Sequence, residues 1–152
     1  MPILGLGTWD LRGPSGYRAI LSALTCGYRL IDTAKMYANE DIVGKACKDS
    51  NISREELFIT TKFSGSYASY EGVRRGIDES ISLFNDSYID LALIHEPYGD
   101  IFGMYEALKE ALYCGKVRAV GISNFNKDRY LSFIERCGLI PAVNQIESHV
   151  YF

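Results

Sequence analysis

In the run Gly27-Tyr28-Arg29-Leu30-Ile31-Asp32-Thr33-Ala34-Lys35-Met36-Tyr37-Ala38-Asn39-Glu40, a short apolar strand delivers a carboxylate, Asp32, and then, one loop later, a phenol, Tyr37. A phenol gives up a proton near neutral pH only when a cation supports its anion, and a carboxylate is the natural holder of such a cation. The next apolar run, Leu57-Phe58-Ile59-Thr60-Thr61-Lys62, ends on a lysine, and the following one, Ile89-Asp90-Leu91-Ala92-Leu93-Ile94-His95, ends on a histidine. Asp32, Tyr37, Lys62 and His95 therefore fall at or just past the C-terminal ends of three consecutive predicted strands. An ammonium within about 4 to 6 Å of the phenol should lower its pKa from about 10, with Asp32 as the counter-ion that keeps Lys62 charged.

The elements that must position these groups are visible in the hydrophobic pattern. Apolar runs rich in branched residues start near Ile3, Arg29, Leu57, Ile89, Ala119 and Val143. Stretches with helical periodicity lie between them. From Ser69 to Phe84, Val73, Ile77, Ile81 and Phe84 mark one face while Glu71, Arg74, Arg75, Asp78 and Glu79 fill the other. Phe102 to Cys114 repeats the pattern and stops at Gly115, and Asn126 to Cys137 repeats it and stops at Gly138. The spacing of the runs is close to the roughly 31 residues per unit of a (β/α)8 barrel of about 250 residues. The expectation is an α/β fold of that TIM-barrel type, incomplete, with about six parallel strands and five helices in one partial-barrel domain spanning 1–152. In such barrels the chemistry collects where the C-terminal strand ends surround a common mouth.

Composition agrees with small-molecule chemistry. The 152-residue chain is 47% apolar, and its net charge of −3 is dispersed without a basic block, which argues against nucleic acid or an anionic membrane as partner. No apolar run approaches the roughly 18 residues that span a bilayer, and the first residues lack the pattern of a signal peptide, so a cytoplasmic location is expected. The cysteines Cys26, Cys47, Cys114 and Cys137 show no C-x-x-C spacing, and three of them precede a glycine at a predicted helix end. They read as small apolar residues packing helix ends, with the glycines supplying left-handed caps, rather than as metal ligands or disulfides. His149 beside Glu147 offers too few ligands for a metal.

Asp32, Tyr37, Lys62 and His95, taken with Leu4-Gly5-Leu6-Gly7-Thr8-Trp9, Gly121-Ile122-Ser123-Asn124-Phe125 and Pro141-Ala142-Val143-Asn144-Gln145-Ile146-Glu147, resemble the aldo-keto reductases in order, spacing and strand placement. The run Ile94-His95-Glu96-Pro97-Tyr98-Gly99-Asp100 is similar to the microbial aldehyde and diketo-gluconate reductase branch. The resemblance implies reduction of an aldehyde or ketone with NADPH, or NADH, as hydride donor and Tyr37 as proton donor. It implies that His95 orients the carbonyl oxygen and that Trp9 walls the substrate pocket. It also implies cofactor contacts from Thr8, Asp32, Ser123, Asn124 and Gln145.

The family pattern continues into two further strands carrying an aromatic that stacks on the nicotinamide and basic residues for the adenosine 2′-phosphate. These lie beyond Phe152, and most of an N-terminal hairpin precedes Met1. A second reading follows, in which the chain is a truncated, inactive reductase fragment or an interaction module, self-associating through open barrel edges. A third takes Gly5-Leu6-Gly7 followed by a helix and Asp32 as a Rossmann fingerprint. It fails at the third glycine, where Asp10 stands, and leaves Tyr37, Lys62 and His95 without a purpose.

Overall fold

A computed structural model describes residues 1–151. Six strands, β1 (Gly5–Gly7), β2 (Leu30–Asp32), β3 (Phe58–Phe63), β4 (Leu91–Ile94), β5 (Val120–Ser123) and β6 (Asn144–Gln145), alternate with five helices. These are α1 (Gly13–Thr25), α2 (Glu40–Asp49), α3 (Tyr70–Phe84), α4 (Ile101–Tyr113) and α5 (Lys127–Ile134). The strands are all parallel and lie side by side in chain order, β1 to β6, forming a half-barrel. That order excludes the Rossmann reading, because a doubly wound sheet reverses direction part-way across.

Alternation along the strands divides the two faces. Ile31, Ile59, Phe63, Ala92, Ile94, Val120 and Ile122 face the helices and join Ile20, Leu24, Val43, Val73, Ile77, Met104, Leu108 and Phe133 in a buried core. Each of these side chains larger than alanine contributes about 1.5–3 kcal/mol by leaving water. The other face carries Asp32, Thr60 and Leu91 at one level, and Lys62, Leu93 and Gly121 at the next. A Cβ on Gly121 would meet Val143 O at 2.6 Å and Leu93 Cδ2 at 2.7 Å, so only glycine fits inside the curve of the sheet.

The periodic helices form where the pattern places them, with side-chain caps defining their starts. Ser69 accepts from Gly72 N at 3.1 Å, Asp100 from Gly103 N at 2.9 Å and Asn126 from Arg129 N at 3.0 Å. The last helix ends at Ile134, three residues short of the Cys137 expected from periodicity. Gly27, Gly115 and Gly138 have φ of 99°, 74° and 70°, as left-handed caps require. The cysteine reading needs correction, however. Cys47 and Cys137 are buried, whereas Cys26 and Cys114 are exposed at their helix ends and pack no core.

Ile89 and Asp90 fall outside β4 for a local reason. The Asp90 carboxylate accepts from the Ile59 amide at 2.9 Å and from Arg54 at 2.6 Å, which puts a side chain where a ladder bond would run. Arg54 also pairs with Asp86 and donates to the carbonyls of Leu57 and Tyr88, so one guanidinium fastens the entries of β3 and β4 together.

Candidate active site

Asp32 is the last residue of β2, and the chain then turns through a short 3-10 segment, Lys35–Tyr37, that sets the phenol over the strand ends. Asn39 pins that turn: its Nδ2 donates to Thr8 O at 2.8 Å and Leu11 O at 2.9 Å, while its Oδ1 accepts from Thr33 Oγ1 at 2.7 Å. Glu40 pins it from below. Its buried carboxylate accepts from Lys35 Nζ at 3.0 Å, from Thr61 Oγ1 at 2.6 Å and from Ser80 Oγ at 2.8 Å. The loop bearing Tyr37 is therefore tied to the β1–α1 loop, β3, α2 and α3.

Lys62 comes from β3, is 1% exposed, and donates to Asp32 Oδ1 and to Thr33 O at 3.0 Å. Its Nζ lies 5.1 Å from the centroid of the Tyr37 ring. His95 follows β4, anchored by its amide on Phe63 O at 2.9 Å, and meets the Tyr37 ring edge-on with centroids 5.7 Å apart. The four groups read from the sequence thus share one mouth. Among the described residues the Tyr37 hydroxyl has no hydrogen-bond partner, so it remains available to a guest.

The electrostatics differ from expectation in one respect. Tyr37 is pushed up from its ordinary pKa, not lowered, because burial comes first and the charges of Asp32 and Glu96 add to it. The ammonium of Lys62 is spent on Asp32 and lies over the ring instead of bonding the phenolic oxygen. Burial also lowers the Lys62 pKa, opposed by Asp32. His95 falls to about 4, through burial and then the neighbouring Lys62 charge. It is neutral at pH 7. Its Nδ1 is buried without a partner. A neutral imidazole whose Nδ1 finds no acceptor gains most by carrying its proton on Nε2, which makes that atom a donor.

The remaining sequence-derived positions divide. Gln145 Nε2 donates to Asp32 Oδ2 at 2.8 Å, and Ser123 Oγ donates to Gln145 O at 3.0 Å. Asn124, at φ 64°, spends its Nδ2 on His95 O and Glu96 Oε1, both at 3.0 Å. These three cluster at the ends of β5 and β6. Thr8 is fully buried, and its hydroxyl and amide both donate to Asp32 O. Trp9 is 73% exposed on the rim. His149 Nε2 and Glu147 Oε1 are 2.7 Å apart, and among the described residues no group of three or more His, Cys, Asp or Glu is placed to hold a metal.

Residues 3–152 match the Aldo/keto reductase family, and the chain belongs to it. It is 41% identical to morphine 6-dehydrogenase of Pseudomonas putida, covering 100% of this chain and 52% of that protein. It is 38% identical to 2,5-diketo-D-gluconic acid reductase B of a Corynebacterium species, covering 97% and 54%. Among solved structures, an aldo-keto reductase enzyme from a Medee basin deep-sea metagenome library superposes with a TM-score of 0.95 at 43% identity, over 99% of this chain and 56% of that one. A Bombyx mori aldo-keto reductase solved in complex with NADP gives 0.90 at 30% identity, over 97% and 55%. The chain spans about half the length of these relatives.

Proposed function

We propose that this chain reduces the carbonyl group of an aldehyde or ketone to an alcohol, with NADPH as hydride donor, NADH as the alternative, and the Tyr37 hydroxyl as proton donor. The observation that carries this reading is a phenol free of intrachain hydrogen bonds, seated between a neutral imidazole and a buried Lys62–Asp32 pair.

The residues at the ends of β5 and β6 fit a nicotinamide carboxamide. Among the described residues Asn124 Oδ1 and Gln145 Oε1 accept no hydrogen bond, so two acceptors remain for an amide NH2, and Ser123 Oγ, whose hydrogen goes to Gln145 O, can accept as well. When bound, the nicotinamide supplies the hydride to the carbonyl carbon. His95 Nε2–H orients the substrate oxygen and stabilises the negative charge that grows on it. Tyr37 then transfers its proton to that oxygen, and the phenolate it leaves behind is supported by the ammonium of Lys62 until water reprotonates it. A raised tyrosine pKa suits this role, because the phenol stays fully protonated at neutral pH and an alkoxide is basic enough to take the proton. Asp32, held by Thr8, Lys62 and Gln145, fixes the ammonium in place.

The test is isotopic. An aldehyde incubated with the chain and NADPH deuterated on the transferring face should yield an alcohol labelled at the former carbonyl carbon. An unchanged aldehyde, or an alcohol without label, overturns the assignment.

A further inference from the structure

A cavity of about 580 Å³ opens beside the catalytic mouth, lined in part by Met36 and Glu96, the immediate chain neighbours of Tyr37 and His95. Its walls come from three successive strand-to-helix loops and include Ser64, Tyr67 and Tyr98. The two charged side chains on it are in opposite situations. Lys35 is 7% exposed and lies between two carboxylates, Glu40 at 3.0 Å and Glu79 at 3.3 Å, so its positive charge is cancelled from within the protein. Glu96 is half-buried and, among the described residues, takes a single side-chain hydrogen bond, from the neutral amide of Asn124, with no lysine or arginine paired to it. Arg75 lies over the Tyr67 ring at 5.6 Å and Arg129 over the Tyr98 ring at 5.3 Å, each outside the reach of the Glu96 carboxylate as an ion pair. The negative charge of Glu96 is felt at the Tyr37 phenol itself.

We propose that this cavity binds the non-reacting end of a carbonyl substrate that carries an ammonium group, with Glu96 as its counter-ion. The inference rests on the reductase reading above and names the substrate class for it. A partly desolvated carboxylate without a partner is costly, and a cationic guest supplies the missing charge while an anionic one adds repulsion. The serine and tyrosine hydroxyls on the wall give neutral polar contacts that serve either guest, so the charge of Glu96 sets the preference.

Three aldehydes of one scaffold test it: para-trimethylammonio-benzaldehyde, the similarly electron-withdrawing para-nitrobenzaldehyde, and para-carboxybenzaldehyde. The ratio of kcat/KM for the cationic over the nitro compound should be roughly five- to tenfold, the carboxylate compound should be the poorest, and Glu96→Gln should bring the ratio to about one. Taking the ratio within each protein cancels any effect of the substitution on folding or on proton transfer. A ratio near one in the native chain, or one unchanged by Glu96→Gln, overturns the inference and leaves the reductase reading standing. Amide shifts of the native chain on titration with benzyltrimethylammonium and with benzoate read the site without turnover. Shifts at residues 64–68 and 96–99 with the cation alone support the site even if no aldehyde is reduced, in which case only the reductase reading fails; equal shifts with both ions, or none, overturn the site.

Discussion

Gln145 Nε2 donates to Asp32 Oδ2 at 2.8 Å, so the sixth strand closes a hydrogen bond onto the second across the mouth of the half-barrel. With Lys62 on Oδ1, both oxygens of the Asp32 carboxylate are engaged. The carboxylate is thereby fixed in direction, and the ammonium it holds is fixed beside Tyr37.

That engagement sets the cost of removing the ammonium. Lys62→Met leaves Asp32, whose side chain is 17% exposed, with one amide for a partner. The loss should be about 2 kcal/mol, below the range for a fully buried pair because some water reaches the carboxylate. Adding Asp32→Asn removes the orphaned charge and should recover part of it. Urea unfolding of both single variants and the double variant measures this, and strictly additive losses would contradict the coupling.

Glu40 should be the most stability-critical carboxylate near the site. It is 3% exposed and answers Lys35, Thr61 and Ser80 at once. Glu40→Ala leaves Lys35 with the partly exposed Glu79 as its remaining carboxylate and strands two hydroxyls, and should lower stability by about 2 kcal/mol; Glu40→Gln should cost less, since it keeps acceptors for them. Equal denaturant midpoints for Glu40→Ala and the native chain would remove the network from the account.

His95 gives the fold a pH dependence whose sign is definite. Its pKa is about 4 in the folded chain against 6.5 as the ordinary value. Below about pH 6.5 the unfolded chain takes up a proton that the folded one refuses, so stability is complete above that pH and declines as pH falls toward 4. Between about pH 7 and about pH 5 the decline should be roughly 1 to 2 kcal/mol, and absent from His95→Gln. Parallel pH profiles for the two proteins would show that His95 titrates normally when folded.

The strand order and the four groups of the mouth were legible because each depends on local pattern. Short apolar runs rich in branched residues placed the strands, and strand ends placed Asp32, Lys62 and His95. What the pattern could not reveal was set by tertiary contact. Glu40 opens a helix, where an acidic residue is ordinary, and only the packing of α2 against β3 and α3 buries it onto Thr61 and Ser80. Thr8 looked available in a loop, yet both its donors close onto Asp32 O. Burial and then Asp32 push the Tyr37 phenol up, and Glu96, which sits one residue past His95 in the sequence, adds to that through space. Its position in that run was the signal that could have found it.

The edges of the sheet predict self-association. Among the described residues β1 and β6 each have one sheet neighbour, and beside them Leu4, Ile146 and Val150 are 66%, 59% and 91% exposed. Unpaired strand edges with exposed apolar side chains template pairing with another chain. Light scattering on the 152-residue chain should show a mass that rises with concentration, reduced by Leu4→Lys with Ile146→Lys. A monomer at every concentration would contradict this.

The measurement closest to the centre of the account is aldehyde-dependent oxidation of NADPH by the native chain and by Tyr37→Phe, with urea unfolding beside it. The phenolic oxygen has no hydrogen-bond partner among the described residues, so the variant should match the native stability within about 0.5 kcal/mol while turnover falls by about 10²-fold or more. Turnover undiminished in Tyr37→Phe, or no turnover in the native chain, would contradict the assignment of Tyr37 as the proton donor of a working reductase.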